Sequence, residues 1–322
     1  MIRFGDRKEI STIVISTALG YDGRGIFPYT THRDYGDMIR TANATGTTRI
    51  SKSMTRHKRS GNFHLRRPWT WKYIQKLGED GMLNAYGLTN KGVEKHSREI
   101  ARSIADGIQL IPNFFPGFSD GAGPATKEIL EAIVILQEKI SWTGEFWAIE
   151  LSYSCPNAKE CNITGIIRDA LRCTEQVKKN YPNLIVIVKI SVAHPPIFAR
   201  QLRDAGADVL HISNSVPYNL IFSNKSPLWK VGGGGVSGGP AFEIALNYAE
   251  KTVSMFDGPI ILGCGIVDDE KLEGYFKLVA DKKMPLNPTD GFSYSVCTAA
   301  LQNSAWVESK IIAHNHYKIY EG

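Results

Sequence analysis

The amino-acid sequence predicts a (β/α)8 barrel, in which a closed ring of parallel strands is surrounded by helices. Apolar, β-rich runs alternate eight times along the chain with stretches of helical periodicity. Several of the strand candidates, such as 184–188, are continuous apolar runs, which suits parallel strands covered on both faces. A doubly wound open sheet shares this alternation, so the period alone does not establish that the sheet closes.

The predicted strands are 12–16, 48–52, 108–114, 148–152, 185–190, 209–212, 260–262 and 291–295. The predicted helices are 35–44, 92–105, 126–140, 166–179, 197–205, 241–256, 269–280 and 298–313. Three βα loops, 53–91, 153–165 and 213–239, are much longer than usual, and barrels build active sites from such loops. The chain of 322 residues shows no repeat or linker, so we expect one domain, 1–322.

Composition excludes several classes of protein. Hydrophobic residues make up 43% and charged residues 22%, as in globular proteins, and no apolar run has the length of a membrane span or the setting of a signal peptide. The five cysteines contain no C-x-x-C pair, which argues against a disulfide framework, a zinc ribbon or an iron–sulfur cluster. We therefore expect a reducing, cytoplasmic location. The net charge of +6 fits an anionic small-molecule ligand.

Two lysines lie at the ends of predicted strands. Lys52 closes the second strand and Lys189 lies near the end of the fifth. A lysine inside a barrel must have a polar or anionic partner, because an unpaired buried ammonium is costly. The partner is either a carboxylate of the core, in a salt bridge, or a bound electron-rich ring that the cation stabilises.

Glycines follow two of the later predicted strands, and a threonine follows a third. The run 231–240 is glycine-rich and leads into a helix with Pro240 at its first turn, where backbone N–H groups and the helix dipole favour a phosphate. Gly263 and Gly265 follow the seventh strand, and Thr298 follows the eighth, where many barrels bind phosphate. Flexible turns explain most single runs of this kind. The convergence of these three segments on one part of the barrel nevertheless predicts a phosphate site.

Three asparagines and a thiol lie on predicted βα loops. Asparagine is common in turns for local reasons, yet Asn84, Asn157 and Asn214 together could bind a planar ligand with carbonyl, N–H and carboxylate groups. Cys155 follows a predicted strand in a polar turn that includes Ser152. A buried thiol is usually inert, whereas a partly exposed thiolate could act as a nucleophile or a general base.

A basic stretch lies in and after the second predicted strand. It has seven basic residues followed by three aromatic ones: Arg49, Lys52, Arg56, Lys58, Arg59, Arg66, Arg67, Trp69, Trp71 and Tyr73. Basic residues interleaved with aromatic ones could bind RNA, although such a run is more often a solvated face. The histidines His57, His64 and His194 show no metal-ligand spacing, so no metal is expected.

The motifs together resemble the dihydroorotate dehydrogenase family of FMN-containing barrels. They occur in the family's order and span nearly the whole chain: ISKS (50–53), NAYGLTN (84–90), ELSYSCPN (150–157), VKI (188–190), NS (214–215), GGVSGG (234–239) and GCGI (263–266). The resemblance is to the soluble class, in which a cysteine is the base, and Cys155 occupies that position. The membrane-associated class carries serine there.

The resemblance implies an FMN over the barrel mouth and a dehydrogenation. The cofactor-binding residues would be Lys52, Lys189, Ser215, Gly238, Gly239, Gly263, Gly265 and Thr298. The substrate-binding residues would be Lys52, Asn84, Gly87, Leu88, Asn157, Asn214 and Ser215. Cys155 would remove a proton from the carbon alpha to a carbonyl, while hydride passes from the adjacent carbon to flavin N5, which oxidises dihydroorotate to orotate in pyrimidine biosynthesis.

The chain departs from the family pattern at two positions. Ser152 replaces an asparagine of the family motif, and Cys297 replaces the glycine before Thr298. A serine cannot offer both an amide donor and a carbonyl acceptor, so a related cyclic amide is an alternative substrate. Two further alternatives are an RNA-modifying enzyme of the dihydrouridine synthase kind and a repurposed, non-catalytic barrel. The soluble electron acceptor stays open between fumarate, a partner subunit and a quinone analogue, and a homodimer is implied by resemblance only.

Overall fold

The computed structural model describes residues 1–5, 8–118, 121–154, 163–281 and 291–315, without the side chains of 163–165. Its strands are β1 (Ile2–Phe4), β2 (Lys8–Ile10), β3 (Ile13–Ser16), β4 (Arg49–Ile50), β5 (Ile74–Leu77), β6 (Gly81–Asn84), β7 (Leu110–Ile111), β8 (Asn113–Phe114), β9 (Ala148–Ser152), β10 (Ile185–Ile190), β11 (Val209–Ile212), β12 (Val216–Pro217), β13 (Gly235–Gly238), β14 (Ile260–Gly263) and β15 (Phe292–Val296). Its α-helices are α1 (Arg33–Ala44), α2 (Val93–Ala105), α3 (Ala122–Ile140), α4 (Ile163–Asn180), α5 (Ile197–Asp204), α6 (Phe242–Val253), α7 (Asp269–Asp281), α8 (Thr298–Gln302) and α9 (Ser304–Asn315).

The main sheet closes on itself. Its strands are parallel and follow the order β7-β4-β3-β15-β14-β11-β10-β9-β8. The two end segments, β7 and β8, are separated only by Pro112, whose carbonyl oxygen accepts a hydrogen bond from the Glu150 N–H at 2.8 Å. They are therefore two halves of one strand, because proline interrupts the strand without diverting the chain. The predicted eight-stranded α/β barrel is confirmed.

The helices cover the outside of the barrel through apolar stripes. On α3, Ala125, Ile129, Ile133 and Leu136 recur at spacings of three or four and are fully buried. This spacing places them on one face of a helix, which packs against the sheet and removes that face from water. Within the described residues, no helix is long and apolar enough to cross a membrane.

The inside of the barrel has an apolar lower layer. It is a buried cluster of residues from successive strands, Val14, Ile50, Ile111, Ala148, Ile187, Val209 and Ile261. The antiparallel hairpin β1–β2 closes this end of the barrel, because Ile2 and Ile10 belong to the same cluster. The lower layer is therefore a packed core with no access to solvent.

Two residues further along each strand, the interior becomes polar. Side chains two apart on a strand face the same side, so the inward residues of this upper layer are Ser16, Lys52, Asn113, Glu150, Lys189, His211, Gly263 and Ser295. Contacts between non-adjacent strands confirm this orientation, since Glu150 of β9 bonds His211 of β11, and His211 bonds Ser295 of β15. The change from apolar to polar marks the C-terminal mouth, where barrels place their chemistry.

An antiparallel sheet lies within two of the long loops. Its order is β12-β13-β6-β5, with Asn84 opposite Gly235 and Gly81 opposite Gly238. The sequence predicted only loops in these segments, because the strands have two to four residues and carry no clear alternation. The last predicted helix is also two helices, α8 and α9, which are separated by Asn303 with φ −140° and ψ 54°.

Candidate active site

Lys189 projects from β10 into the upper layer and has two polar neighbours there. Its Nζ lies 3.2 Å from Ser16 Oγ and 3.9 Å from Glu150 Oε1. The lysine is 7% exposed and Glu150 is fully buried. Of the two partners that the sequence allowed for Lys189, the core carboxylate is therefore present, and the ammonium lies at the floor of the barrel mouth.

Glu150 is held by hydrogen bonds from both sides. Asn113 Nδ2 donates to Oε1, and His211 Nδ1 lies 2.5 Å from Oε2. Burial acts to raise the pKa of Glu150, but the charge of Lys189 and the contact with His211 lower it overall. The carboxylate is consequently ionised at neutral pH.

His211 connects this carboxylate to Ser295. Burial, together with the charge of Lys189, lowers the pKa of His211, so the imidazole is neutral at neutral pH. An ionised carboxylate only accepts hydrogen bonds, so Nδ1 is the donor and Nε2 accepts from the Ser295 hydroxyl at 2.8 Å. The result is a continuous chain of hydrogen bonds across the barrel from Asn113 to Ser295.

Lys52 lies on the other side of the mouth. Its Nζ is 4.1 Å from the centroid of the Tyr86 ring, and burial lowers the pKa of this ammonium, while Cys297 acts in the opposite direction. A cation over an aromatic face is attracted by the ring's quadrupole. This contact ties the end of β4 to the turn that contains Gly87 and Leu88.

That turn follows Asn84 at the end of β6. Asn84 Nδ2 donates to the Gly235 carbonyl at 3.3 Å. Gly87 and Leu88 both have left-handed backbones, with φ +73° and +57°, and a Cβ at Gly87 would lie 2.9 Å from the Asn62 nitrogen. The close approach and the positive φ explain the glycine.

Asn214 and Ser215 lie after β11. Asn214 Nδ2 donates to the Ser154 carbonyl at 2.6 Å, and the Ser215 N–H donates to Asn214 Oδ1 at 2.8 Å. Asn214, which the sequence predicted as a substrate ligand, thus also fixes the end of the β9 segment. Among the described residues, one further N–H of its amide and one lone pair of its oxygen have no partner.

The predicted phosphate-binding residues come together near the start of α6. A Cβ at Gly238 would lie 3.0 Å from Thr298 Cγ2, and a Cβ at Gly265 would lie 2.5 Å from the Cα of Phe242, the first residue of α6. Thr298 Oγ1 donates to Ser237 Oγ at 2.9 Å. Gly239 packs against Asp80, and Gly263 against Ser295. Two separate glycine segments, 238–239 and 263–265, therefore allow close backbone packing beside Thr298 in one small region.

The end of β9 is where the sequence predicted the catalytic thiol. Cys155 and Asn157 lie outside the described residues. Just before them, Ser152 is 2% exposed, and its hydroxyl donates to the Ser154 carbonyl at 3.4 Å. Within the described part of the chain, Ser154 Oγ is buried without a hydrogen-bond partner. Cys297 Sγ, at the other departure from the family, lies 3.2 Å from Thr17 Oγ1.

The basic stretch does not form one surface. Arg49 is 1% exposed and donates to the Gly23 carbonyl at 2.6 Å, Arg56 donates to Glu131 at 2.6 Å, and Lys52 faces the mouth. Trp69 and Trp71 remain exposed. These three cations are therefore not part of a common surface that could bind RNA. Among the residues described, no three His, Cys, Asp or Glu side chains are placed to hold a metal ion.

Sequence reasoning missed the acidic and imidazole members of the upper layer. Glu150 and His211 are single polar residues inside otherwise apolar strands. Their position in the strand could have revealed them, because each lies two residues after an inward apolar residue and just before a predicted βα loop. Ser16, which contacts Lys189, carried the same signal at the end of β3.

Comparison with known proteins agrees with this architecture. The family model described as dihydroorotate dehydrogenase matches residues 34–270. A protein of Bacteroides thetaiotaomicron named dihydroorotate dehydrogenase B (NAD(+)), catalytic subunit, is 31% identical over 258 residues, which cover 79% of this chain and 76% of that protein. Proteins of the same name from Phocaeicola vulgatus and Halalkalibacterium halodurans are 29% identical over 265 residues (81% and 78% covered) and 32% over 200 (60% and 62%). The predicted resemblance is confirmed, and the chain belongs to the dihydroorotate dehydrogenase family.

Proposed function

We propose that the protein is an FMN-dependent oxidoreductase that oxidises dihydroorotate to orotate, or a related cyclic amide, at a CH–CH bond. The observation that carries this proposal is the upper layer, in which Lys189, paired with Glu150, lies at the floor of the mouth with Lys52. Two cations there suit a ring that gains negative charge. Membership of the family and the names of the relatives support the reaction.

The residues present fit FMN. Gly238, Gly265 and Thr298 lie close together near the start of the twelve-residue helix α6, in space that a Cβ on either glycine would fill, and the helix dipole there suits a phosphate. Gly239, Gly263 and Ser215 would complete the cofactor contacts, and Lys52 and Lys189 would face the ring. Bound FMN supplies an acceptor for hydride. Within the described part of the chain, the buried Ser154 hydroxyl has no hydrogen-bond partner, so it is a further polar group that a ligand could satisfy.

We assign the proton transfer to Cys155, on the strength of its motif. Cys155 directly follows the buried Ser154 in the sequence. Its thiolate would take the proton from the carbon alpha to a carbonyl. Asn84, Asn157, Asn214 and Ser215, with Lys52 and the backbone of Gly87 and Leu88, would orient the substrate. Ser152 has a hydroxyl in place of an amide, so it cannot offer an amide donor and a carbonyl acceptor to a substrate ring. Its hydroxyl donates instead to the Ser154 carbonyl. A related cyclic amide therefore stays an alternative substrate.

The names of the relatives support one of the three electron acceptors. They are named as catalytic subunits of NAD(+)-dependent enzymes, which supports a partner subunit that passes electrons to NAD(+). Fumarate and a quinone analogue are the alternatives. A cytoplasmic location and a homodimer stay predictions.

Anaerobic mixing tests the proposal. The purified protein should carry or take up FMN, and dihydroorotate should bleach the absorbance of the oxidised flavin. Replacement of Cys155 by alanine should slow the bleaching about 100-fold or more while FMN is retained, because a general base of this kind contributes that much. Bleaching by a different cyclic amide alone would keep the reaction and change the substrate, and a protein that takes up no FMN would contradict the proposal.

A further inference from the structure

A buried acid lies directly under the mouth, and the proposed reaction gives it no role. Glu150 is fully buried, and its lowered pKa keeps it ionised. Burial of an ionised carboxylate is strongly unfavourable unless the carboxylate is paired and hydrogen-bonded. A carboxylate kept in such a place therefore needs an explanation in terms of its partners.

The upper layer contains more positive than negative charge. Lys52 and Lys189 are its two lysines, Glu150 is its one carboxylate, and His211 is held neutral by burial and by the charge of Lys189. Lys52 faces the Tyr86 ring, which is not an anion. Among the described residues, Glu150 is the only carboxylate that pairs with Lys189.

The contacts of Lys189 show what the carboxylate supplies. Among the described residues, the other polar contact of the ammonium is the Ser16 hydroxyl at 3.2 Å, and a neutral hydroxyl does not offset the cost of burying a full charge. Without Glu150, the 7% exposed ammonium would have no counter-ion among the described residues. An unpaired charge is costly to bury, so the ammonium would no longer be held in this position.

Glu150 cannot easily turn away from the lysine. Asn113 of β8 binds Oε1 and His211 of β11 binds Oε2, and Ser295 of β15 in turn binds His211. The carboxylate is held by three strands besides its own. Its Oε1, which faces Lys189, is therefore fixed by side chains that themselves have little freedom.

We propose that Glu150 is a positioning residue for the proposed flavin reaction. It offsets the charge of Lys189 and holds the ammonium in place, so that the cation is available to the negative charge that a bound flavin gains on reduction. His211 supports this arrangement by orienting the carboxylate. The inference rests on the proposed function, since it requires FMN at the mouth.

The midpoint potential of the bound flavin tests the role of Glu150. Glu150→Gln keeps the shape and one acceptor but removes the charge. If the Lys189 ammonium is then no longer held at the mouth, reduced FMN binds less tightly relative to oxidised FMN, and the potential falls. If the ammonium stays in place, removal of a negative charge from the upper layer raises the potential. The inference expects the fall, and a rise or an unchanged potential would overturn it.

A second substitution checks that the effect passes through the lysine. Lys189→Met should also lower the potential, and Glu150→Gln should cause no further fall in that background, as two residues acting as one unit require. Equal falls in both backgrounds would overturn the inference. The potential is obtained from the dissociation constants of oxidised and reduced FMN, so a weakly binding variant is still measured.

His211→Gln gives an independent test if Glu150→Gln does not fold. It loosens the carboxylate without removing it, so the potential should fall by less than in Glu150→Gln, and no fall would overturn the supporting role. Ser293→Ala is the matched control, because Ser293 is a buried serine on the same strand as Ser295, one layer lower. It should leave the potential unchanged. Wild-type protein that takes up no FMN would contradict the proposed function itself, whereas FMN uptake with an unmoved potential in Glu150→Gln contradicts only this inference.

Discussion

Gly265→Ala is expected to disrupt the predicted phosphate site by two separable effects. Gly265 has φ +91°, which costs an alanine about 1–2 kcal/mol of backbone strain. Its new Cβ would also lie 2.5 Å from Phe242 Cα, 2.8 Å from Phe242 Cβ and 2.9 Å from Phe242 N. These are largely backbone atoms, so the start of α6 must move, and such overpacking typically adds about 1–3 kcal/mol.

Gly107→Ala separates the strain from the displacement. Gly107 has a similar φ of +80°, but a Cβ there would meet nothing within 4 Å. We expect Gly107→Ala to lower the free energy of unfolding by about 1–2 kcal/mol in urea titrations and to leave FMN affinity unchanged. Gly265→Ala should lower it further and weaken FMN binding about tenfold or more, equivalent to about 1.4 kcal/mol. Wild-type FMN affinity in Gly265→Ala would refute the placement of the phosphate beside α6.

Two further predictions concern stability. Ile133→Ala, at a fully buried position of α3, should lower the free energy of unfolding by about 2–5 kcal/mol, whereas Val134→Ala, 43% exposed on the same helix, should change it by less than about 1 kcal/mol; similar losses would refute the packing of α3 on the barrel. Burial lowers the pKa of His96, His194 and His211 in the folded protein. In the unfolded chain the histidine pKa is about 6.5, so below that pH the unfolded chain binds protons that the folded protein does not bind. The free energy of unfolding should therefore decrease between about pH 7 and pH 5, and a constant or rising value over this interval would contradict the buried, neutral histidines.

Periodicity predicted the barrel because its signals are local. The run 185–190 is apolar except for Lys189 and became β10 with the same bounds, and 148–152 became β9. The antiparallel sheet was missed because its pairing is not local, since Asn84 pairs with Gly235 about 150 residues away, and glycine-rich segments such as β13 are typical of turns. Strands that depend on distant partners leave little pattern in their own sequence.

The site was predicted unevenly for a similar reason. Lys52 and Lys189 were found from their position at strand ends, and both face the mouth. Glu150 lies within the quoted ELSYSCPN motif, yet its pairing with Lys189 and His211 depends on which strands become neighbours. A closed barrel brings β9, β10 and β11 together, and only the fold reveals that their inward residues form one charged layer.

Reduction of the bound flavin by dihydroorotate, followed by absorbance under anaerobic conditions, tests the central claim most directly. The FMN-loaded protein should lose its oxidised-flavin absorbance on mixing with dihydroorotate. In Cys155→Ala this loss should be slower by a factor of about 100 or more. A loaded protein whose flavin stays oxidised with dihydroorotate and with related cyclic amides would contradict the claim that this barrel is a dehydrogenase of that substrate class.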